Sequence, residues 1–259
     1  MHDISLLTLV LLCAAAAAAG WIDAVVGGGG LLQLPALLVG LPQVAAAHVL
    51  GTNKAVAIVG TTAAAITYTR KAPVDVRTAI RIGAAAVAGS FGGAFFASGI
   101  NSAVLRPLIM VILLAVLTFV LLRPAFGATA ATGPVSRNRI LLAILVAGLG
   151  IGFYDGLIGP GTGTFLVIAL SAILHLDLVT ASATTKVVNT CTNAGALVMF
   201  TAQGAVLWSV ALPLAVFNLA GGMVGARMAL RRGTGFVRVV LVVVVVTLVC
   251  KLAYDQWLA

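Results

Sequence analysis

Two short polar clusters interrupt a chain that is otherwise almost wholly apolar: Thr52-Asn53-Lys54 and Thr184-Thr185-Lys186. Each lysine stands part-way along a long apolar run, where an ammonium near mid-membrane costs about 2.5–3.5 kcal/mol on insertion scales. A lysine there binds something, snorkels to the interface, or pairs with a carboxylate. The binding chemistry would be that of an anion site. The ammonium is a compact point charge, and the adjacent hydroxyls and amide donate hydrogen bonds to an oxyanion. Asn189 and Asn193 follow Lys186 on the same helical face, and Thr61 holds the place after Lys54 that Asn193 holds after Lys186. The three could complete a polar pocket.

Two glycine-rich breaks add a second kind of anion chemistry. Gly27-Gly28-Gly29-Gly30 and Gly159-Pro160-Gly161-Thr162-Gly163 cannot continue a helix. Broken backbone at membrane depth is tolerated where protein buries it or it lines a water-filled cavity. Helices that restart after such a break aim N–H groups and a positive dipole end at the gap, which favours an anion. Gly28, Gly29, Gly161 and Thr162 are the candidate cradle residues. Gly89, Gly93, Gly221, Gly222 and Gly225 lie inside unbroken runs and are assigned to close helix packing. Asp23 and Asp155 each sit four residues before a break. A lone carboxylate there is costly, so the readings are protonation, an ion pair with a lysine, or part of a proton pathway. His48 has no partner in the other half, which leaves a proton-relay role weakly supported, and His175 and Asp177 fall in a short loop read as solvated.

The elements that position these residues follow from composition. Hydrophobic residues make up 62% of the 259 residues and charged ones 8%, against about 25% charged in a soluble domain. Apolar segments at 4–26, 30–41, 44–68, 77–99, 103–122, 139–158, 162–174, 178–201, 206–227 and 235–254 lack the period-two alternation of membrane strands. The fold class is an all-α integral membrane protein. A net charge of +9 is spread singly between the apolar runs rather than along one polar face, which argues against a nucleic-acid partner. Cys13, Cys191 and Cys250 lie in apolar runs without CxxC spacing and read as free thiols; no metal framework and no cofactor motif appears. The first apolar run lacks the basic start of a secretion signal and is read as a retained membrane segment.

The chain also repeats itself. Shifting the second half back by 132 places Asp155 on Asp23, Gly159 on Gly27, Gly161 on Gly29, Thr184 on Thr52 and Lys186 on Lys54. With six acidic residues in all, matches of this type are not cheap. One membrane domain therefore spans 1–259, with repeat 1 at 1–122, a linker at 123–138 and repeat 2 at 139–259. The loop 69–77 is basic while its equivalent 201–207 is neutral; 98–102 is neutral while 227–238 is basic. The positive-inside rule then places both basic loops and the linker in the cytoplasm and makes the repeat inverted. Each half is expected to hold a re-entrant helix–loop–helix hairpin, at 4–41 and 139–174, followed by three transmembrane helices. Both termini would lie outside the cytoplasm.

At these residues the chain resembles the TauE/SafE family of sulfite exporters and related permeases. The matching stretches are the Asp followed by GGGGLLQLPALLVGLP and GTNK in the first half, with YDGLIGPGTGT and ATTK in the second. The resemblance covers essentially the whole chain and implies an inverted-repeat transporter with re-entrant hairpins and a central anion site. It also implies sulfite or an organosulfonate as substrate. Thr185 stands where the first half has Asn53, so the half-sites are chemically unequal.

The resulting expectation is a secondary transporter in the cell membrane, moving a small oxyanion by alternating access. Lys54 and Lys186 would neutralise substrate charge, with Thr52, Asn53, Thr184, Thr185, Asn189 and the tip amides orienting it. Its partners would be a small anionic substrate and the lipid bilayer, with a homodimer left open. The rival readings are an anion channel and a permease for another small anion such as a carboxylate. An enzyme is not expected, because the buried polar residues include no nucleophile–base pair.

Overall fold

A computed structural model describes residues 5–105, 107–109, 111 and 135–257, excepting the side chains of 233–235, 237, 238 and 240–257. The linker and most of segment 103–122 lie outside the described residues. Every regular element among the described residues is helical. The first hairpin is α1 (Leu6–Val26) and α2 (Gly30–Gly40), followed by α3 (Ala46–Thr69) and α4 (Val76–Gly99). The second begins with α5 (Arg137–Leu157) and α6 (Thr162–Leu174), followed by α7 (Leu178–Ala202) and α8 (Trp208–Trp257). The starts of α2, α3 and α4 recur 132 residues later in α6, α7 and α8. Among the described residues five helices are long and apolar enough to cross a membrane, and α6 meets α7 at a 120° bend.

Local chemistry sets the helix ends. Ser5 caps α1 by accepting from Thr8 N, and Asp75 caps α4 by accepting from Thr78 N. Asp177 caps α7 by accepting from the N–H groups of Val179 and Thr180. It is a half-buried cap rather than a merely solvated loop residue. The Thr78 hydroxyl and N–H hold the Asp75 carboxyl below its ordinary range. Burial raises Asp177, but hydrogen bonds from Thr180 and Val179 outweigh it and leave that carboxyl lowered too. Within the apolar helices, Thr61, Thr62, Thr67, Thr184 and Thr190 return their hydroxyl protons to carbonyls one turn back. That satisfies polar groups where no water is at hand.

Two departures from the expected segments are informative. Segments 206–227 and 235–254 are not separated by a loop; α8 runs through both as a single helix. The intervening MALRRGT holds mostly good helix formers and no proline, so its charge does not oblige the backbone to break. In α5, the stretch Ile144–Gly150 is a π-helix between two α-helical turns, whereas the equivalent part of α1 is regular.

The halves pack crosswise. α8 of the second half lies along α1 of the first, and α4 of the first half lies along α5 of the second. Glycines make this possible. A Cβ at Gly89 or Gly93 would collide with the Leu149 or Phe153 carbonyl, and one at Gly221 or Gly225 with the Ala17 or Trp21 carbonyl. These four contacts are equivalent under the 132-residue shift. The central helices α3 and α7 carry the polar clusters and are the most enclosed, with Gly51–Val56 and Thr180–Lys186 buried throughout.

Candidate functional site

The two breaks meet each other in the interior. Gly27 ends α1 in the left-handed region at φ 78°, and Gly159 and Gly161 sit at φ 91° and 77°. The backbones of Gly27 and Gly163 approach so closely that a Cβ on either would overlap the other. Thr164 Oγ1 donates to the Val26 carbonyl at 3.2 Å, and Tyr154 Oη donates to the Pro160 carbonyl at 2.6 Å, bracing the tips. Tyr68 Oη donates to the Ala24 carbonyl at 3.0 Å, pinning the end of α3 beneath the first tip.

Each lysine reaches across to the tip of the opposite half. Lys54 Nζ lies 2.7 Å from Asp155 Oδ2, with the two side chains 2% and 3% exposed. Lys186 Nζ lies 3.0 Å from Asp23 Oδ2 and also donates to the Asp23 backbone carbonyl. Among the three readings of the aspartates, the ion pair is the arrangement present. A Cβ on Gly159 would stand 2.8 Å from Lys54 Nζ, so the absence of a side chain there makes room for the ammonium. Lys186 is thus held by two acceptors of one residue, whereas Lys54 meets a carboxylate at the border of an open space.

That space is a cavity of about 30 Å³, two to three times what one water needs. It is lined by Asp23, Gly27, Gly29, Gly30 and Gln33 from the first hairpin and by Asn53, Lys54 and Thr61 from α3. The second half contributes Asp155, Gly159, Gly161, Thr162, Gly163, Asn189, Asn193 and Asn218. Asn193 Nδ2 donates to Thr61 Oγ1 at 3.4 Å. These two residues are equivalent under the repeat shift, so their contact marks where α3 and α7 cross. Thr192 Oγ1 donates to the Asn189 backbone carbonyl at 2.9 Å and lies 3.1 Å from Asn189 Oδ1.

Of the residues singled out from sequence, Lys54, Asn53, Gly29, Gly161, Thr162, Asn189, Asp23 and Asp155 line this cavity. Lys186, Thr52, Thr184, Thr185 and Gly28 do not. Thr52 Oγ1 instead accepts from Leu207 N at 3.0 Å, fixing the start of α8, and Thr184 donates to Thr180. Gly29 borders the cavity but also packs tightly, since a Cβ there would fall 2.5 Å from the Ala19 carbonyl oxygen. Gln33 and Asn218 were not singled out. At the 132-residue shift they face Phe165 and Ala86, so a search for repeats passes over them. The available signal was an isolated amide inside an apolar run.

The site is therefore a lysine paired with Asp155, the Asp23 carboxylate, several side-chain amides and two helix starts, at the meeting point of two broken hairpins. Among the described residues no group of three His, Cys, Asp or Glu gathers to hold a metal. With several helices able to span a bilayer, this is the architecture of a multi-pass membrane protein with a polar interior site. Residues 12–252 match the family described as sulfite exporter TauE/SafE. The chain is 32% identical over 256 residues to the "Probable membrane transporter protein ORF9" of Sinorhizobium sp., covering 98% of this chain and 96% of that protein. It is equally 32% identical to a "Probable membrane transporter protein" of Haemophilus influenzae, with 98% of each covered. Against the "Probable membrane transporter protein YfcA" of Escherichia coli K12 the identity is again 32%, covering 98% and 92%. No solved structure matches. The protein is a membrane transporter and belongs to the TauE/SafE family.

Proposed function

We propose that this transporter moves a small oxyanion, sulfite or an organosulfonate, by alternating access around the central cavity. The observation that supports this is the convergence of Lys54, the Asn and Gln amides and the starts of α2 and α6 on one cavity. All of these groups favour negative charge on oxygen. Because Lys54 already faces Asp155, an incoming anion competes with that carboxylate. Lys186 and Asp23 form the corresponding pair at the other tip. Alternating access would move the two halves against each other about the contact of α3 with α7. On this reading the repeat is inverted, with the basic stretches 69–77 and 227–238 cytoplasmic and both termini outside.

The test is counterflow of labelled sulfite into proteoliposomes holding the full chain. Uptake should saturate, be competed by ethanesulfonate, and be abolished in Lys54→Ala. Non-saturating flux, unchanged by that substitution, would overturn the proposal.

A further inference from the structure

Gln33 and Asn218 form a buried amide pair in the cavity wall, and its hydrogen bonds allow only one orientation. Asn218 Nδ2 lies 3.1 Å from the Ala16 carbonyl oxygen and 2.9 Å from Gln33 Oε1. A backbone carbonyl only accepts, so the nitrogen of Asn218 has to face it. That nitrogen gives its second hydrogen to Gln33, whose oxygen therefore faces Asn218. Gln33 Nε2 is turned the other way. It is buried without a hydrogen-bond partner, on a residue 3% exposed that lines the cavity. An unsatisfied buried donor is costly and calls for an acceptor.

The surroundings keep this arrangement in place. A Cβ on Gly60 would overlap Asn218 Oδ1, so glycine at that position admits the carboxamide. Because neither amide has a counterpart in the other half, the pair breaks the near-equivalence of the two half-sites. An anion bound there would meet different groups on its two sides.

We infer that Gln33 is a substrate-binding residue, donating through Nε2 to an oxygen of the oxyanion, and that Asn218 is the positioning residue that turns it. This rests on the oxyanion reading above. It adds a specific donor, drawn from the first hairpin and held by the last helix, that sets the polarity of the bound substrate.

The experiment is calorimetric titration of the purified full chain in detergent with sodium sulfite and with ethanesulfonate, with melting temperature read in parallel. Gln33→Met keeps the length and removes the donor. Asn218→Leu removes the donor that holds Gln33 Oε1 and adds no charge, so Gln33 is no longer held with its nitrogen toward the cavity. Each should weaken binding about tenfold or more, the scale of one hydrogen bond to a charged group. The double variant should bind no more weakly than the weaker single one, because both changes remove the same bond. A role in packing alone would lower the melting temperature and leave affinity intact in every monodisperse variant; Gln33→Met by itself decides this. Lys54→Ala separates the two levels. If it weakens binding and Gln33→Met does not, this inference fails alone; if neither weakens binding, the oxyanion reading fails with it.

Discussion

Replacing Asp155 by Asn tests the ion pair and the anion site together. The substitution is nearly isosteric, so little packing changes, but it leaves the Lys54 ammonium without its carboxylate at a side chain only 2% exposed. Breaking a buried pair by removing one partner costs about 3–5 kcal/mol, because the surviving charge is uncompensated. At roughly 2–4 °C per kcal/mol for a chain of this size, the melting temperature should fall by roughly 6–20 °C. The variant Lys54→Met with Asp155→Asn should recover part of that loss, since no lone charge remains. Sulfite should stabilise the two forms unequally. Where the ammonium is free, an anion replaces the missing carboxylate, and a ligand at a hundred times its Kd adds about 2.7 kcal/mol. Asp155→Asn should therefore be stabilised by sulfite more than the wild-type chain, and at lower concentrations. The assay is thermal unfolding followed by tryptophan fluorescence in one detergent, with and without sulfite. Wild-type melting in Asp155→Asn, or additive losses in the double variant, would refute the claim that the pair is an energetic unit. Equal sulfite shifts in both forms would refute the claim that Lys54 receives the anion.

Three further outcomes are expected. Gly93→Ala drives a Cβ into the Phe153 carbonyl, so it should destabilise by about 1–3 kcal/mol while surviving protein binds sulfite with unchanged affinity in the titration. Asp75→Ala removes the cap of α4, a loss of about 1 kcal/mol in typical helices. Since hydrogen bonds from Thr78 hold Asp75 below the ordinary carboxylate range, the cap contributes in full above about pH 4 and fades as pH falls through the lowered value. The stability gap between wild type and Asp75→Ala should accordingly narrow in acid, as read by thermal melts across pH. Lys71→Cys and Gln203→Cys occupy exposed positions equivalent under the repeat shift. In a background without native cysteines, an impermeant thiol reagent should label the first only from the cytoplasm and the second only from outside; labelling from one face would make the repeats parallel.

The sequence by itself determined the membrane class, most helix positions and the internal duplication. Each of these is written in runs of apolar residues, in breakers such as Gly27–Gly30, and in rare polar residues recurring at a constant shift. It also marked Lys54, Asp155 and Asn189, because an isolated polar group in an apolar run has few bland explanations. Which carboxylate each lysine meets was decided by tertiary packing. Lys54 and Asp155 lie in different halves and are joined only because α4 lies along α5 and α8 along α1; no local pattern records that crossing. The same packing separated cavity residues from their neighbours. Thr52 and Lys54 are two positions apart, yet Thr52 turns to Leu207 N while Lys54 borders the cavity. Charge also misled in one place, since arginines at 227–232 read as a loop but continue α8. The role of Gln33 and Asn218 was hidden for a further reason. An amide donor matters only once its partners are known, and the Ala16 carbonyl that orients this pair belongs to a third helix brought alongside by the fold.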